Sequence, residues 1–387
     1  MRGARWMVLV GLCFNAVTAD AADPSTPPDG LAQDSAPRVG PAGLHKTRIF
    51  LVDSYHRDYP WSRSVEEGIV DAMLTHGYLE NREQVEQLMA HDVVESARAV
   101  IKKEWMDTKR KNSSSDIAQA TTRIMAALTA FDPNLVLPSD DNATHYIGTQ
   151  LLDTDIPVVF SGVNGLPLKY GLVETMERPG HNVTGVWQAG YYKEGVDLLK
   201  ALVPAAKTFA ILAADSETTR PKIKVIQALA GEGKMPLQLV DVVATNSFSE
   251  FQRRVLEVAP RVDAFFVINH DTMKDDQGVH VEMLTVGTWY LEHVHKPEVA
   301  DEDQFVREGM LCAANDSGYN QGVLQFEMAV EILERGAKPS ELAPRVPPRG
   351  ALMVNRRRAQ QLGIPLDGQN AALIEEVIDE AKALEHP

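Results

Sequence analysis

The chain has 387 residues, 44% of them hydrophobic and 24% charged, with a formal net charge of −16. That length suits two domains with sizeable cores, and the composition is that of a folded globular protein. The acidic balance, with no basic stripe, excludes nucleic acid and anionic membrane surfaces as natural partners, because a polyanion is repelled overall.

Residues 1–21 read as a secretory signal. Arg2 and Arg5 supply the positive end, Trp6 to Val17 is mostly apolar, and Ala19-Asp20-Ala21 is a small-x-small cleavage pattern. The apolar run is too short to span a bilayer. Cleavage after Ala21 removes Arg2, Arg5 and Asp20, making the mature chain one unit more negative than −16. Leu12 is too large for the position before a lipidated cysteine, so Cys13 is not expected to carry a lipid. Residues 22–46, rich in Pro, Gly, Ala and Asp without periodicity, read as a disordered leader.

Ile49 to Val52 is an apolar run of strand length. A polar and aromatic burst follows it, from Asp53-Ser54-Tyr55-His56 to Tyr59-Pro60-Trp61-Ser62, and then an amphipathic segment from Val65 to Leu74. This is a strand, a loop and a helix, with the loop where open α/β sheets hold ligands. Val85 to His91 is expected as a second strand. Ser113 to Phe131 has a helical pattern, with Ser115 or Asp116 as its cap. Leu135 to Leu137 and Ile156 to Phe160 are the next strands, separated by a helix from Ala143 to Leu152. Their tips carry Ser139-Asp140-Asp141-Asn142 and Ser161-Gly162-Val163-Asn164.

The rhythm breaks near Pro179 to Gln188, around a short extended piece from Val183 to Val186. It then restarts with helices at Tyr192–Leu202, Pro221–Ala230, Phe248–Val258 and Val281–Glu292. Strands at Thr208–Ala213, Leu237–Val243 and Ala264–Ile268 alternate with them, which predicts a parallel sheet. The stretch from Phe131 to Asp141 finds an echo from Pro260 to Asp271: a polar turn, an apolar strand and an acidic tip. Ile156-Pro157-Val158 is echoed by Lys296-Pro297-Glu298-Val299. Two similar lobes facing each other across a cleft follow from this pseudo-repeat.

Motifs for catalysis are absent: there is no GxGxxG after the first strand, no GxxxxGK[ST], no GxSxG and no HExxH. His293-Val294-His295 lacks further ligands for a metal and reads as a helix terminus. Asp301-Glu302-Asp303 reads as a solvated acidic run. Cys312, in Leu311-Cys312-Ala313-Ala314, reads as a small buried apolar residue.

The C-terminal third carries a family resemblance. Glu308-Gly309-Met310-Leu311-Cys312-Ala313-Ala314 looks like a strand returning to the first lobe. Gly318-Tyr319-Asn320-Gln321-Gly322 opens a long helix that runs to Lys338-Pro339. Leu352-Met353-Val354-Asn355 and Ala359-Gln360-Gln361-Leu362-Gly363-Ile364-Pro365 close the pattern. From about Thr47 to Gly368 the chain resembles the periplasmic substrate-binding proteins of ABC transporters, departing from them in a polar Asp275-Asp276-Gln277-Gly278 insertion.

The resemblance implies an α/β fold of the type I periplasmic binding protein kind. Two Rossmann-like lobes with parallel sheets would be joined by a three-crossover hinge. Residues 47–185 with 310–345 would form the N-terminal lobe, and 186–309 with 346–368 the C-terminal lobe. Residues 369–387 would form a C-terminal helix. It also implies capture of a small polar or aromatic solute, an amino acid among the candidates, by hinge closure. Delivery would be to an ABC permease or, alternatively, a sensor kinase in the inner membrane. A secreted α/β enzyme is the third, less favoured reading. A monomeric periplasmic protein without enzymatic activity, cofactor or metal is expected. The strand tips nominate Ser54, Tyr55, Trp61, Asp141, Asn164, Asp215, Asp271 and Asp316 as ligand contacts. Tyr55 and Trp61 would act as platforms, and Arg220 as a partner for a ligand carboxylate.

Overall fold

The computed structural model describes residues 46–368 and 372–379. The expected signal, leader and Cys13 lie outside them. The first sheet is built from β1 (Thr47–Asp53), β2 (Val93–Glu95), β3 (Ala99–Trp105), β4 (Leu135–Ser139), β5 (Val158–Asn164) and β6 (Val183–Gln188), in the order β2-β3-β1-β4-β5-β6. Helices α1 (Pro60–Thr75), α2 (Arg82–His91), α3 (Ser114–Phe131) and α4 (Asp140–Tyr146) fall between these strands. All neighbours are parallel except β2 with β3.

The second sheet begins after α5 (Tyr192–Leu202). It contains β7 (Thr208–Ala213), β8 (Gln238–Ala244), β9 (Ala264–Val267), β10 (Glu298–Ala300) and β11 (Cys312–Ala314). These alternate with α6 (Thr219–Gly231), α7 (Phe248–Val258), α8 (Met283–His293) and α9 (Asp303–Glu308). The long α10 (Gly318–Arg335) then packs on the first sheet's side. Finally β12 (Leu352–Asn355), α11 (Arg356–Gln361) and β13 (Glu376–Ile378) complete the second sheet as β13-β12-β11-β10-β9-β7-β8. The echo seen in sequence is spatial: β4 lies next to β1 in one sheet as β9 lies next to β7 in the other.

The chain crosses between the sheets three times: after β6, after β11 and before β12. The crossings are bonded to one another. Trp187 N–H donates to Arg345 O at 3.0 Å, Gly350 N–H to Asn315 O at 2.8 Å, and the Tyr191 hydroxyl to Pro347 O at 2.8 Å. The third crossing is pinned to α10 by a bidentate Arg345–Glu331 pair. Helices α1 and α10 meet backbone to backbone. A Cβ at Gly322 would sit 2.0 Å from Val65 O, and one at Gly68 2.1 Å from Tyr319 O, so both positions require glycine.

Four expectations are corrected. Val85 to His91 is helical, part of α2; its Val85 and Leu88 are buried at helical spacing, and Asn81 caps it by accepting from Gln84 N–H at 3.0 Å. The strands of that region lie further on, at β2 and β3. The cap of α3 is Ser113, with Asp116 as the reciprocal partner of a capping box. β11 pairs with β10 and β12 in the second sheet, so residues 312–314 belong there and not with the first lobe; all of β6, through Gln188, belongs to the first sheet. The expected helix over 369–387 contains β13, which pairs with β12; residues 369–371 and 380–387 lie outside the described ones.

Candidate functional site

The carboxyl ends of β1, β4, β5 and β6 meet those of β7, β9, β10 and β11 in a polar seam between the sheets. Asp53, the last residue of β1, shapes the loop that follows. Its Oδ1 accepts from Tyr55 N–H at 2.8 Å and from the Ser62 hydroxyl at 2.7 Å. That Asx turn swings Tyr55 and Tyr59 toward the second sheet. The Tyr55 hydroxyl donates to Asp140 and lies 3.2 Å from Thr218 Oγ1 at the start of α6. The Tyr59 hydroxyl bonds Asp271, and it accepts from Asn269 Nδ2 at 3.3 Å and from Gln304 Nε2 at 3.4 Å.

Lys109, from the loop between β3 and α3, is buried between these groups. Its ammonium is 3.0 Å from Asp271 Oδ2 and sits over both tyrosine rings, 4.1 Å from the Tyr55 centroid and 5.0 Å from that of Tyr59. This is an ammonium held by aromatic faces and a carboxylate. It partitions two openings of the cleft. One, of about 230 Å³, is lined by His56, Tyr59, Lys109, Asp271, His280 and Glu282 among others. The other, of about 380 Å³, includes Tyr55, Lys109, Asn142, Asp215, Thr218 and Thr272. Arg110 and Glu282 approach to 3.6 Å across the rim. These contacts hold the two sides together in a closed arrangement.

Deeper in, α6 presents Lys222. Its ammonium is 2.8 Å from Asp301 and 2.5 Å from Glu302, at the tip of β10, and 3.2 Å from Asn269. Burial alone would lower the lysine's pKa, but these two carboxylates outweigh it and push it well up. Asp316, on the second crossing, is buried beside this cluster, and its backbone N–H donates to Asp301 O at 2.8 Å. Burial, reinforced by neighbouring carboxylates, raises three acids of the seam: Asp140 to about 7, Asp316 to about 7 and Glu302 to about 8. Asp271 goes the other way: burial would raise it, but Lys109 and Tyr59 more than offset that. Asp140 also holds a left-handed backbone, φ +70°, at the tip of β4.

Several buried atoms of the seam have no hydrogen-bond partner: Asp271 Oδ1, Asp301 Oδ1, Gln304 Oε1, Asn164 Oδ1, Trp61 Nε1 and both amide atoms of Gln188. Leaving a buried polar group unpaired costs about 1–3 kcal/mol. A group of them lies where the two sheets' strand tips face each other, leaving hydrogen-bonding capacity that water or a polar molecule would complete.

The nominated residues divide three ways. Tyr55, Asp271 and Asp316 lie in the seam, and Trp61 and Asn164 border it with an unpaired atom each. Ser54 is structural, because its hydroxyl donates to Ser139 O at 2.7 Å and accepts from Ala143 N–H at 2.8 Å, tying β1 to α4. Asp141 is satisfied within the first lobe by Asn164, Lys169 and Tyr170 at 2.8, 2.6 and 2.8 Å. Asp215 sits at the outer mouth, paired with Arg220 at 2.7 Å, and both side chains are about half exposed. Arg220 is therefore not a buried carboxylate receptor.

Lys109, Lys222, Glu302 and Gln304 were missed. Asp301 and Glu302, expected at the surface, are 2% and 3% exposed. The available signal was position: the pair follows the buried strand β10, as Asp140-Asp141 follows β4. Cys312 is buried, as expected. Among the described residues no cluster of three or more His, Cys, Asp and Glu is arranged to hold a metal, and no helix is long and apolar enough to cross a membrane.

Two α/β lobes, three bonded crossings and a polar seam at facing strand tips define a solute receptor of the type I periplasmic binding fold. Residues 85–378 match the family described as "ABC transporter substrate binding protein", and the chain belongs to that family. A tyrosine-binding protein of Clostridioides difficile (strain R20291) is 25% identical over 180 residues, 46% of this chain and 49% of that one. The chain thus spans about half the length of the curated relative it matches. Among solved structures, an ABC domain from Streptococcus pneumonia in complex with L-Trp shares the fold. Its TM-score is 0.67 at 23% identity, over 86% of this chain and all of that one. The ligand-free, open structure of a substrate-binding protein with adhesive properties from Clostridium difficile does too, with a TM-score of 0.61 at 20% identity and the same coverage.

Proposed function

We propose that this chain is the extracytoplasmic receptor of an ABC importer, capturing a small amine-bearing solute between its two lobes and presenting it to a membrane permease. The observation that carries the reading is the set of buried, unpaired polar atoms contributed by strand tips of both lobes. The lobe boundaries proposed for this motion are the three crossings, at Gln188–Tyr191, Asn315–Ser317 and Arg345–Gly350. Opening breaks the Tyr55, Tyr59 and Lys109 contacts to the second lobe and admits the solute. Closure restores them around it, so the solute favours the closed state by contacts the open one lacks. The tyrosine-binding relative and the L-Trp complex support an amine-bearing, aromatic solute.

The test is thermal-shift and calorimetric titration of the mature chain with amino acids, amines, nucleosides and sugars. A rise in melting temperature with 1:1 binding is expected for at least one amine-bearing solute. Silence across all of these classes would contradict capture. Export is checked separately: the N-terminal sequence of the protein recovered from its native host should begin after Ala21.

A further inference from the structure

We infer that the seam is built for a solute of net positive charge, a primary amine or diamine without a carboxylate, in preference to a zwitterionic amino acid. This rests on the solute-capture reading and narrows its substrate class.

The seam contains five carboxyl groups (Asp140, Asp271, Asp301, Glu302 and Asp316) and two lysines, Lys109 and Lys222, with Asp141 and Lys169 paired within the first lobe beside it. Every lysine is already engaged: Lys109 with Asp271, Lys169 with Asp141, and Lys222 with both Asp301 and Glu302. Arg220, the nearest guanidinium on α6, is committed to Asp215 at the exposed mouth. No cation among these is left to receive a ligand carboxylate.

Two carboxylate acceptors, by contrast, remain open. Asp271 Oδ1 and Asp301 Oδ1 are unpaired on side chains 2% exposed, with Gln304 Oε1 and Asn164 Oδ1 as neutral acceptors, whereas the seam's unpaired donors, Trp61 Nε1 and Gln188 Nε2, carry no charge. A primary ammonium donates three hydrogen bonds and accepts none, which matches this set. The molecule already shows the mode of recognition once, in the Lys109 ammonium clasped by Tyr55, Tyr59 and Asp271. A zwitterion would bring an anionic group into a seam whose lysines are all engaged. The rings of Tyr55, Tyr59 and Trp61 give the organic part of the amine an apolar wall.

The experiment titrates the mature protein by calorimetry with matched pairs, tyramine against L-tyrosine and tryptamine against L-tryptophan. Putrescine is the diamine, and ribose and adenosine are uncharged probes. The expected result is that at least one amine binds tenfold or more tightly than both amino acids and both neutral probes. Equal or tighter binding of L-tyrosine or L-tryptophan overturns the inference while leaving solute capture intact. So does binding of ribose or adenosine alone. Silence across every probe overturns the capture reading and this inference with it.

Asp301→Asn and Gln304→Ala are the confirming variants. Each should weaken amine binding at least tenfold, with the circular dichroism spectrum unchanged. Asp301→Asn that stays folded and binds the amine as wild type does would also overturn the inference. Gln304→Ala supplies the same reading if Asp301→Asn fails to fold.

Discussion

The two lobes present strand tips of the same architecture, but the open carboxylate oxygens of the seam are on the second lobe and the open atoms that the first brings to it are neutral. On the first, Asp141, Asn164, Lys169 and Tyr170 bond to one another, Ser54 bonds Ser139 and Ala143, and Asp141 alone collects three donors. On the second, Lys222 holds two carboxylates, yet Asp301, Asp271 and Gln304 each keep an unpaired oxygen. The first lobe's Asp141 is therefore fully paired, with only neutral atoms of Trp61, Asn164 and Gln188 left open at the seam, while it faces second-lobe carboxylates that are not. The first lobe reaches across with Tyr55, Tyr59 and Lys109 and, nearer the rim, with Arg110 and His145, so closing the seam supplies partners to the second lobe's polar groups.

The contrast is broken most severely at Lys222. Lys222→Met leaves Asp301 and Glu302 without their buried counter-charge, and removing one partner of a buried pair costs about 3–5 kcal/mol. Urea denaturation should show a loss of that order. Lys169→Met in the first lobe should cost about 1–2 kcal/mol, because Asn164 and Tyr170 still donate to Asp141. Equal losses for the two variants would erase the distinction between the walls.

Next in size is the reach across the seam. Tyr59→Phe removes the hydroxyl that bonds Asp271 and accepts from Asn269 and Gln304. The closed state should weaken by about 1–1.5 kcal/mol, read as roughly tenfold lower solute affinity and a larger radius of gyration in X-ray scattering. An unchanged radius with unchanged affinity would mean that Tyr59 is only core packing.

Acidity sharpens the comparison from the other side. Asp140, Glu302 and Asp316 have folded-state pKa values raised to about 7, 8 and 7, chiefly by burial. Asp140 faces Asp141, Lys109 and Tyr55; Glu302 faces Lys222, Asp301 and Lys109; Asp316 faces Lys222 and Asp301. A carboxyl raised in this way binds its proton more tightly folded than unfolded. Its stabilising contribution is full below the unfolded pKa, about 4, and is lost as pH rises through 7 to 8. The solute-free protein should thus lose stability from pH 5 to pH 8 in chemical denaturation, and a cationic solute should restore more of it at pH 8 than at pH 6. The smallest expected effect is at the outer mouth. Arg220→Met breaks a half-exposed pair and should change stability by less than about 0.5–1 kcal/mol.

Much of the fold was legible because apolar runs and helical periods are local signals. Thr208–Ala213, Phe248–Val258 and Tyr192–Leu202 read correctly to the residue. Val85–His91 misled because buried Val85 and Leu88 suit a short strand as well as one face of a helix. The placement of β11 depended on pairing with β12, about forty residues later, which no local pattern encodes. The site was half legible. Aromatics and acids after a strand announce a tip, which found Tyr55, Asp271 and Asp316. Charge burial does not show in a sequence, so Asp301-Glu302 passed as a solvated run and Lys222 as an ordinary helix lysine. Their burial follows from facing each other across the ends of β10 and α6.

The most direct measurement is a crystal structure of the mature protein with the tightest-binding amine. The account predicts a single molecule between the lobes, its ammonium within hydrogen-bond distance of the Asp271 or Asp301 carboxylate, with Tyr59 still bonded to Asp271. A molecule bound outside the seam, or one whose ammonium points away from both carboxylates, would contradict it.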